Sequence, residues 1–452
     1  MVIDNRRESF FSSSVGFTLV FLLFLIEILF SRVLRHDGTG RTWMMLTAGG
    51  QATIIFALII TIVGSKVYNG HMTRFAIPGM GITILLMSFI GISILSGVCG
   101  LASRNDLSFV TGDIFKFTAF PIAIVLAYEN IVSVERLDKL LYLTLIFYAL
   151  FLLKDLLQYK LGLLDVNERS LSIYMYPFMP LIATYLKSQG LKHIRALQLF
   201  YILCFPIFVF YTQSLTLVLL TGFLLGASWL FHRGLTLKAT KRIVLCTAVI
   251  SASLAFSIWG GVGFVEKYSE NPRTGYLLRK FVKMEAGLQI RTLELVAGDR
   301  VAQIVAVLKY FNEKPLRILT GQGMGGWIKV RSVTGLKDVT WKETNHNIES
   351  GYPEVMLRTG IIGLMIYIGI FVAIFLYAFR LRKKNYFLSM AAAYSLYILI
   401  FSFLNMPFIG QGFGSLYMLS IIVSGTWLYH RRFRRTPEEP PARPCKDMLV
   451  NE

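Results

Sequence analysis

The sequence predicts an all-α polytopic membrane protein with about twelve transmembrane helices and one large, partly helical extracytoplasmic loop. Of the 452 residues, 55% are hydrophobic and only 16% are charged. Soluble domains carry about 25% charged residues on average, and the mean hydropathy of this chain is +0.59. The apolar residues are gathered into long runs separated by short charged segments, which indicates many membrane spans.

Each predicted span is a run of roughly 17 to 25 apolar residues, the length that a helix needs to cross the hydrocarbon core. The runs lie near residues 14–34, 43–64, 75–98, 109–128, 139–157, 170–187, 196–212, 214–231, 243–265, 360–379, 386–404 and 410–430. The first run follows two arginines, as in a signal peptide. It lacks a small-residue cleavage site and leads into further spans, so we interpret it as the first transmembrane helix.

Loop charges predict the orientation, because Lys and Arg collect in cytoplasmic loops. With the N-terminus inside, the predicted inner loops hold more Lys and Arg than the short outer loops, and residues 431–435 add four more arginines. We therefore expect a multi-pass protein of a cytoplasmic membrane with both termini in the cytoplasm. The same bias accounts for the net charge of +20 without a nucleic-acid partner.

Four regions follow from this topology. Residues 1–265 contain spans one to nine, residues 266–359 form the extracytoplasmic loop, residues 360–430 contain spans ten to twelve, and residues 431–452 form a disordered, proline-containing cytoplasmic tail. No internal repeat stands out, and the one large loop comes late in the chain. A two-halved transporter favours related halves and a long central linker instead.

The predicted loop is rich in positive charge. It carries fifteen Lys and Arg against ten Asp and Glu, and long translocated loops escape the positive-inside bias. One explanation is attraction to lipid headgroups. The other is binding of a phosphate or diphosphate by arginine, whose planar fork fits that geometry.

Arg300 is the first candidate for such a contact. Asp299 is a plausible N-cap, and Pro315 ends the pattern that follows it. Between them, apolar residues recur at helical spacing: Val301, Ile304, Val305, Leu308 and Phe311. Arg300 thus falls in the first helical turn, where the helix dipole disfavours a cation. An arginine placed against that preference indicates a binding role, the alternative being a solvated surface residue.

The run Gly321–Gly326, GQGMGG, is rich enough in glycine to suggest a phosphate cradle. It matches neither a P-loop nor a dinucleotide fingerprint. The pattern favours a tight turn packed against the helical bundle.

His346 and Glu349 lie three residues apart, just before the tenth predicted span. In a helix they would meet on one face, and a histidine held by a carboxylate can act as a general base. The alternative is an interfacial histidine with a satisfied hydrogen bond. No second His or Cys lies at ligand spacing, so we predict neither a metal site nor a cofactor.

In their order and placement, these features resemble the bacterial O-antigen ligase and repeat-unit polysaccharide polymerase superfamily. The specific resemblance covers about residues 298–380: Arg300 before an apolar helix, Pro315 and Gly321 after it, and a His-Asn motif running into Gly360–Gly363. The rest of the chain resembles the family by topology only.

Two departures favour a polymerase over a ligase. Twelve residues separate His346-Asn347 from Gly360, whereas the ligase pattern has about nine, and Glu349 falls in that nine-residue register. The base therefore stays open between His346 and Glu349. Ligase-like members also carry Ser-Arg between the seventh and eighth spans, where this chain has Ser-Leu. Arg169, at the outer mouth of the sixth span, is a candidate for the missing cation, and Arg291 is a further candidate on the loop.

The resemblance implies metal-independent glycosyl transfer outside the bacterial cytoplasmic membrane. The growing glycan would move from undecaprenyl diphosphate to the next lipid-linked repeat unit, and the product would be O-antigen, capsule or exopolysaccharide. The implied partners are the undecaprenyl-diphosphate-linked glycan and membrane lipid, with a flippase and a chain-length regulator as further candidates. Aromatic residues near the sixth span, Tyr174, Tyr176 and Phe178, are expected to line a lipid groove or an interfacial belt.

Two alternatives remain. One is an O-antigen ligase that transfers glycan to the lipid A core, and the other is a non-enzymatic polysaccharide transporter or flippase. A transporter predicts ionisable residues inside the spans. The sequence places Asp113 and Lys116 there, at a spacing where they can neutralise each other.

Overall fold

The computed structural model describes residues 10–29, 49–50, 52–63, 80–131, 133–160, 176–191, 194–212, 215–234, 303–328, 330–331, 341–342, 351–402 and 414–435. Nearly all of this part of the chain is helical. The helices are α1 (Phe10–Leu29), α2 (Ala52–Val63), α3 (Met80–Ala102), α4 (Leu107–Asn130), α5 (Val134–Lys160), α6 (Phe178–Ser188), α7 (Ile194–Thr212), α8 (Leu215–Arg233), α9 (303–313), α10 (Arg317–Thr320), α11 (Gly351–Arg380), α12 (Tyr386–Phe401) and α13 (Gly414–Arg435). Two short strands, β1 (Val330–Arg331) and β2 (Trp341–Lys342), pair antiparallel.

Four of the described helices, α3, α4, α5 and α11, are long and apolar enough to cross a membrane. At about 1.5 Å per residue, α4 is about 36 Å long, more than the roughly 30 Å hydrocarbon core. Shorter apolar stretches lie in α1, α2, α7 and α12. The helical, membrane-type fold is thus confirmed in outline. The count of twelve spans and their orientation stay predictions, and the predicted span near 243–265 lies outside the described residues.

The long helices pack on one face and leave the other apolar face open. In α3, Leu86 and Phe89 are fully buried, whereas Met87 and Leu95 are 51% and 61% exposed. The ring of Phe89 contacts α4 and α11, with its centroid 6.0 Å from that of Tyr367. A helix that is apolar on both its buried and its exposed faces is typical of a membrane span.

Helix α11 contains a sharp break at Gly360, where φ is 71° and ψ is −172°. Only glycine adopts this backbone region readily. A side chain there would also collide with the chain, since a Cβ would lie 2.1 Å from the carbonyl oxygen of Leu319. The break coincides with the predicted start of the tenth span. Residues 351–359 are almost entirely buried, and residues 361–380 form a segment of about 30 Å, the length of a span.

Helix α9 confirms the predicted helix before Pro315 over its described residues. Val307 and Phe311 are its buried positions, whereas Val305 and Leu308 are 55% and 58% exposed. Of Val305, Leu308 and Phe311, which the sequence places at helical spacing, only Phe311 therefore belongs to the face that packs on the protein. The packed face of α9 is set by its contacts with Ile328 and Leu357, which lie outside α9 in the sequence.

Two of the three aromatic residues named near the sixth predicted span lie inside the bundle. Tyr176 and Phe178 are 0% and 3% exposed, so neither lines a groove mouth or an interfacial belt, and that expectation was wrong for both. The Tyr176 hydroxyl donates to the carbonyl of Tyr201, and this hydrogen bond allows a tyrosine to be buried here. Tyr174 lies outside the described residues.

Candidate functional site

The five residues predicted to act on substrate, Arg169, Arg291, Arg300, His346 and Glu349, all lie outside the described residues. Their roles stay predictions. Two of the helices that follow them are described, however. Arg300 precedes α9 by three positions, and Glu349 precedes α11 by two.

The two helices pack against each other through a small apolar cluster. Val307 and Phe311 of α9 meet Leu357 of α11 and Ile328 of the intervening segment, and all four are buried. Tyr310 packs at the edge of this cluster, where burial raises the pKa of its hydroxyl. With helix axes about 10 Å apart and a rise of about 1.5 Å per residue, the first described residues of α9 and α11 lie within about 25 Å of each other.

Four ionisable side chains meet beside this contact, and we refer to Asp113, Lys116, Glu354 and Arg358 as the Arg358 cluster. The Nε atom of Arg358 lies 3.1 Å from Asp113 Oδ2 and 3.1 Å from Glu354 Oε1. All three of these side chains are fully buried. Lys116 lies 3.8 Å from Asp113 Oδ1 and is 16% exposed. Two cations and two carboxylates thus compensate one another, as buried charges require.

The Arg358 cluster also holds the glycine-rich turn. Arg358 Nη1 donates to the carbonyl oxygen of Gly326 at 2.5 Å, and the Gly325 amide donates to Asp113 Oδ2 at 2.8 Å. The cluster therefore joins α4, α11 and the turn through side chains and backbone together.

Backbone hydrogen bonds bind the same turn to two helices. The Gln322 amide donates to the Leu357 carbonyl at 2.7 Å, and the Met324 amide donates to the Ser96 carbonyl at 3.1 Å. The Ser96 hydroxyl donates in turn to the Arg358 carbonyl. Because these amides donate to the chain's own oxygens, they are not arranged to cradle a phosphate. The structure supports the tight packed turn that the sequence favours.

Glycine is required where this turn touches α3. Gly323 has a φ of 91°, and a Cβ there would lie 2.7 Å from the amide nitrogen of Gly100. A Cβ on Gly100 would lie 2.2 Å from the Met324 carbonyl oxygen. The two backbones approach each other so closely that no larger residue fits at either position.

The Arg358 cluster and the contact of the turn with Ser96 lie inside the ends of two membrane-type helices, α4 and α3. Asp113 is six residues from the start of α4, and Ser96 is six residues from the end of α3, which at about 1.5 Å per residue is about 9 Å in each case. At this depth the local dielectric is low and Coulomb attraction is strong. The arrangement can fix the base of the predicted loop rigidly against the bundle.

Sequence reasoning missed most of this cluster. It counted Glu354 and Arg358 only among the loop charges, and it paired Asp113 with Lys116 alone. That contact exists, but Asp113 also binds Arg358 from the far end of the chain. The available signal was the i,i+4 spacing of Glu354 and Arg358 next to an apolar run, combined with a carboxylate inside a predicted span.

No protein-family model matches this chain, and no curated protein is significantly similar to it. The function of the chain is therefore inferred from its own residues and contacts.

Proposed function

We propose that this chain is a membrane glycosyltransferase that polymerises lipid-linked oligosaccharide repeat units at the outer face of a bacterial cytoplasmic membrane. It transfers the growing glycan from undecaprenyl diphosphate to the next lipid-linked repeat unit. The observation that carries the proposal is the packing of α9 against α11 beside the ends of α3 and α4. This packing supports it because the segments before α9 and α11 carry Arg300 and Glu349, next to helices of membrane type.

In the proposed reaction, the acceptor sugar hydroxyl attacks the anomeric carbon of the donor glycan. The new bond joins the hydroxyl oxygen to that carbon, and the bond from the carbon to the diphosphate oxygen breaks. His346 or Glu349 accepts the hydroxyl proton as general base. Arg300, helped by Arg169 and Arg291, neutralises the departing diphosphate through bidentate contacts.

The Arg358 cluster positions this site and does not touch substrate. Arg358, Asp113 and Glu354 expose none of their side-chain surface, so a diphosphate has no access to them. The cluster fixes residues 351–359, which begin two positions after Glu349, to α4 and to the glycine-rich turn.

A deletion strain tests the proposal by gel analysis of the surface glycan. We expect the deletion to leave single repeat units on their carrier, and the wild-type gene to restore a ladder of chain lengths. Complete loss of glycan-capped lipid A would identify a ligase instead. An unchanged ladder in the deletion strain would contradict both activities.

One observation favours the transporter or flippase as a second candidate. The Arg358 cluster places ionisable groups inside membrane-type helices, where they often mark transport pathways. Glu354 Oε2 is also buried without a hydrogen-bond partner among the described residues, as a proton-carrying carboxylate can be. Against this, Arg358 and Asp113 are tied to fixed backbone groups of Gly326 and Gly325, which favours a static anchor.

The side of the membrane on which repeat units accumulate separates the two candidates. Loss of a polymerase leaves single repeat units on the outer face, and loss of a flippase leaves them on the cytoplasmic face. A Glu354→Gln variant adds a second criterion. If Glu354 carries a proton during transport, this variant should accumulate repeat units on the cytoplasmic face, whereas loss of the anchor of a polymerase would leave them on the outer face.

A further inference from the structure

Residues 303–328 expose an unusual number of large apolar side chains for a segment of a polar loop. Val305, Leu308, Leu316, Leu319 and Trp327 are between 52% and 86% exposed, and we refer to them as the exposed apolar set. Several exposed large apolar side chains in one short segment are a candidate interaction surface.

The members of the set share helix faces. Val305 and Leu308 are three residues apart on α9, so their side chains are neighbours on the helix surface. Leu316 and Leu319 have the same i,i+3 spacing at α10. Helix α9 packs Val307 and Phe311 against α11, and Ile318 of α10 is partly buried against the same cluster. Both short helices also present exposed apolar residues.

The exposed apolar set continues onto the membrane-type helices. The ring of Trp327 stands edge-on to Phe109 near the start of α4, with centroids 5.5 Å apart and planes at 81°. Leu107, two residues before Phe109, is 63% exposed, and Leu101 at the end of α3 is 46% exposed. Apolar side chains are thus exposed on residues 303–328 and at the adjoining ends of α3 and α4, on either side of the polar turn 103–106.

Basic residues accompany the apolar ones. Residues 303–328 carry Lys309, Lys314 and Arg317 against the single carboxylate of Glu313. Lys309 Nζ lies 3.9 Å from Glu313 Oε1, but both side chains are largely exposed. Such a surface ion pair is weak, so Lys309 can still interact with other anions. Apolar residues flanked by cations are typical of helices that lie in a membrane interface, and cations attract anionic headgroups.

The glycine-rich turn joins α9 and α10 to the ends of the membrane-type helices. Its hydrogen bonds reach Ser96 and Asp113, about 9 Å inside the ends of α3 and α4. Helix α10 ends where the turn begins, and three residues separate it from α9. We therefore expect both short helices to lie near the level where hydrocarbon gives way to headgroups.

We propose that α9 and α10 form a membrane-surface element. The exposed apolar set enters the leaflet at the level between headgroups and acyl chains, and the accompanying cations bind lipid phosphates. The inference rests on the membrane-type helices and on these exposures, and it does not require glycosyl transfer.

Fluorescence quenching in vesicles tests the depth directly. The full-length chain, with Cys99, Cys204, Cys246 and Cys445 replaced by serine, would carry one cysteine at Leu308 and be labelled with an environment-sensitive dye. The matched control carries its cysteine at Glu313 on the same helix, where the native side chain is 60% exposed. The vesicles contain phosphatidylethanolamine and phosphatidylglycerol, with nitroxide lipids as one quencher and aqueous iodide as the other.

We expect the label at position 308 to lose its fluorescence to a shallow acyl-chain nitroxide and to resist iodide, and the label at position 313 to show the reverse. Equal quenching of both labels by iodide would overturn the proposal. Protection of position 308 from both quenchers would also overturn it, because protein would then cover this face. If replacing phosphatidylglycerol with phosphatidylcholine leaves the quenching unchanged, the headgroup contacts of the cations are wrong.

Discussion

At the scale of single residues, Arg358 is the position on which most contacts converge. Its guanidinium binds a carboxylate of α4, a carboxylate of its own helix and the carbonyl of Gly326. Each partner is buried, so none can hydrogen-bond to water in place of the guanidinium if Arg358 is replaced. A buried ion cluster of this kind specifies one arrangement of three elements, whatever its net contribution to stability.

Replacing Arg358 with glutamine should destabilise the protein by about 3–5 kcal/mol, because two buried carboxylates lose their shared cation. Thermal unfolding in detergent, followed by tryptophan fluorescence, measures the change. Lys309→Gln is the matched control, since it removes an exposed cation that pairs at 3.9 Å and should cost about 0–1 kcal/mol. Equal melting temperatures for Arg358→Gln and the wild type would show that the cluster does not hold the fold.

His346 and Glu349 make opposite predictions for the pH dependence of the rate. If His346 is the base, His346→Ala should cost about 10²–10⁴-fold in rate, and activity should fall as pH drops below about 6.5, because protonated imidazole cannot accept a proton. Glu349→Gln would then cost less. If Glu349 is the base, the order reverses and the acid limb moves lower.

Steady-state rates of the purified enzyme across pH distinguish these outcomes. A change of less than about threefold for both variants, far below the general-base range, would remove the pair from the chemistry. His346 and Glu349 would then only cap the start of α11.

At the scale of elements, local signals predicted where helices begin and end, and distant contacts decided which way they face. The helical pattern predicted to end at Pro315 does end just before it, and the predicted start of the tenth span coincides with the break in α11 at Gly360. The packed face of α9 depends instead on Ile328 and Leu357, which no window around α9 contains. The Arg358 cluster was not predicted for the same reason, because Asp113 and Arg358 lie far apart in the sequence.

Two substitutions on α9 test which face is packed. Phe311→Ala should destabilise the protein by about 3–5 kcal/mol, because it opens a cavity between α9 and α11. Leu308→Ala should change stability by less than about 0.5 kcal/mol in detergent, since Leu308 is 58% exposed. Thermal unfolding of both variants gives the comparison. A larger loss for Leu308→Ala than for Phe311→Ala would show that Leu308 lies on the packed face.

At the scale of the whole molecule, composition was sufficient to predict a helical membrane protein. Four described helices have the length and apolarity to cross a membrane, and apolar side chains on their exposed faces are consistent with lipid contact. Orientation rests on loop charges alone, and the predicted active residues fall in parts of the chain beyond the described helices. The fold class was therefore predictable from the sequence, whereas the contacts that bind residues 321–326 to α3, α4 and α11 were not.

Cysteine labelling tests the predicted orientation. A cysteine at Lys337 should react with an impermeant maleimide in intact spheroplasts, because the loop is predicted to be extracytoplasmic. A cysteine at Lys383, an exposed position in the turn after α11, should react only after lysis. The reverse pattern would place the predicted catalytic loop in the cytoplasm and remove the basis for chemistry at the outer face.

The proposed polymerisation of lipid-linked repeat units depends on an arginine that binds diphosphate. The purified protein, reconstituted in vesicles with undecaprenyl-diphosphate-linked repeat units and no added metal, should produce a ladder of glycan lengths. Arg300→Lys should abolish most of this ladder at unchanged protein abundance, because an ammonium cannot reproduce the bidentate fork. Single repeat units alone from the wild-type protein, or a normal ladder from Arg300→Lys, would contradict the claim.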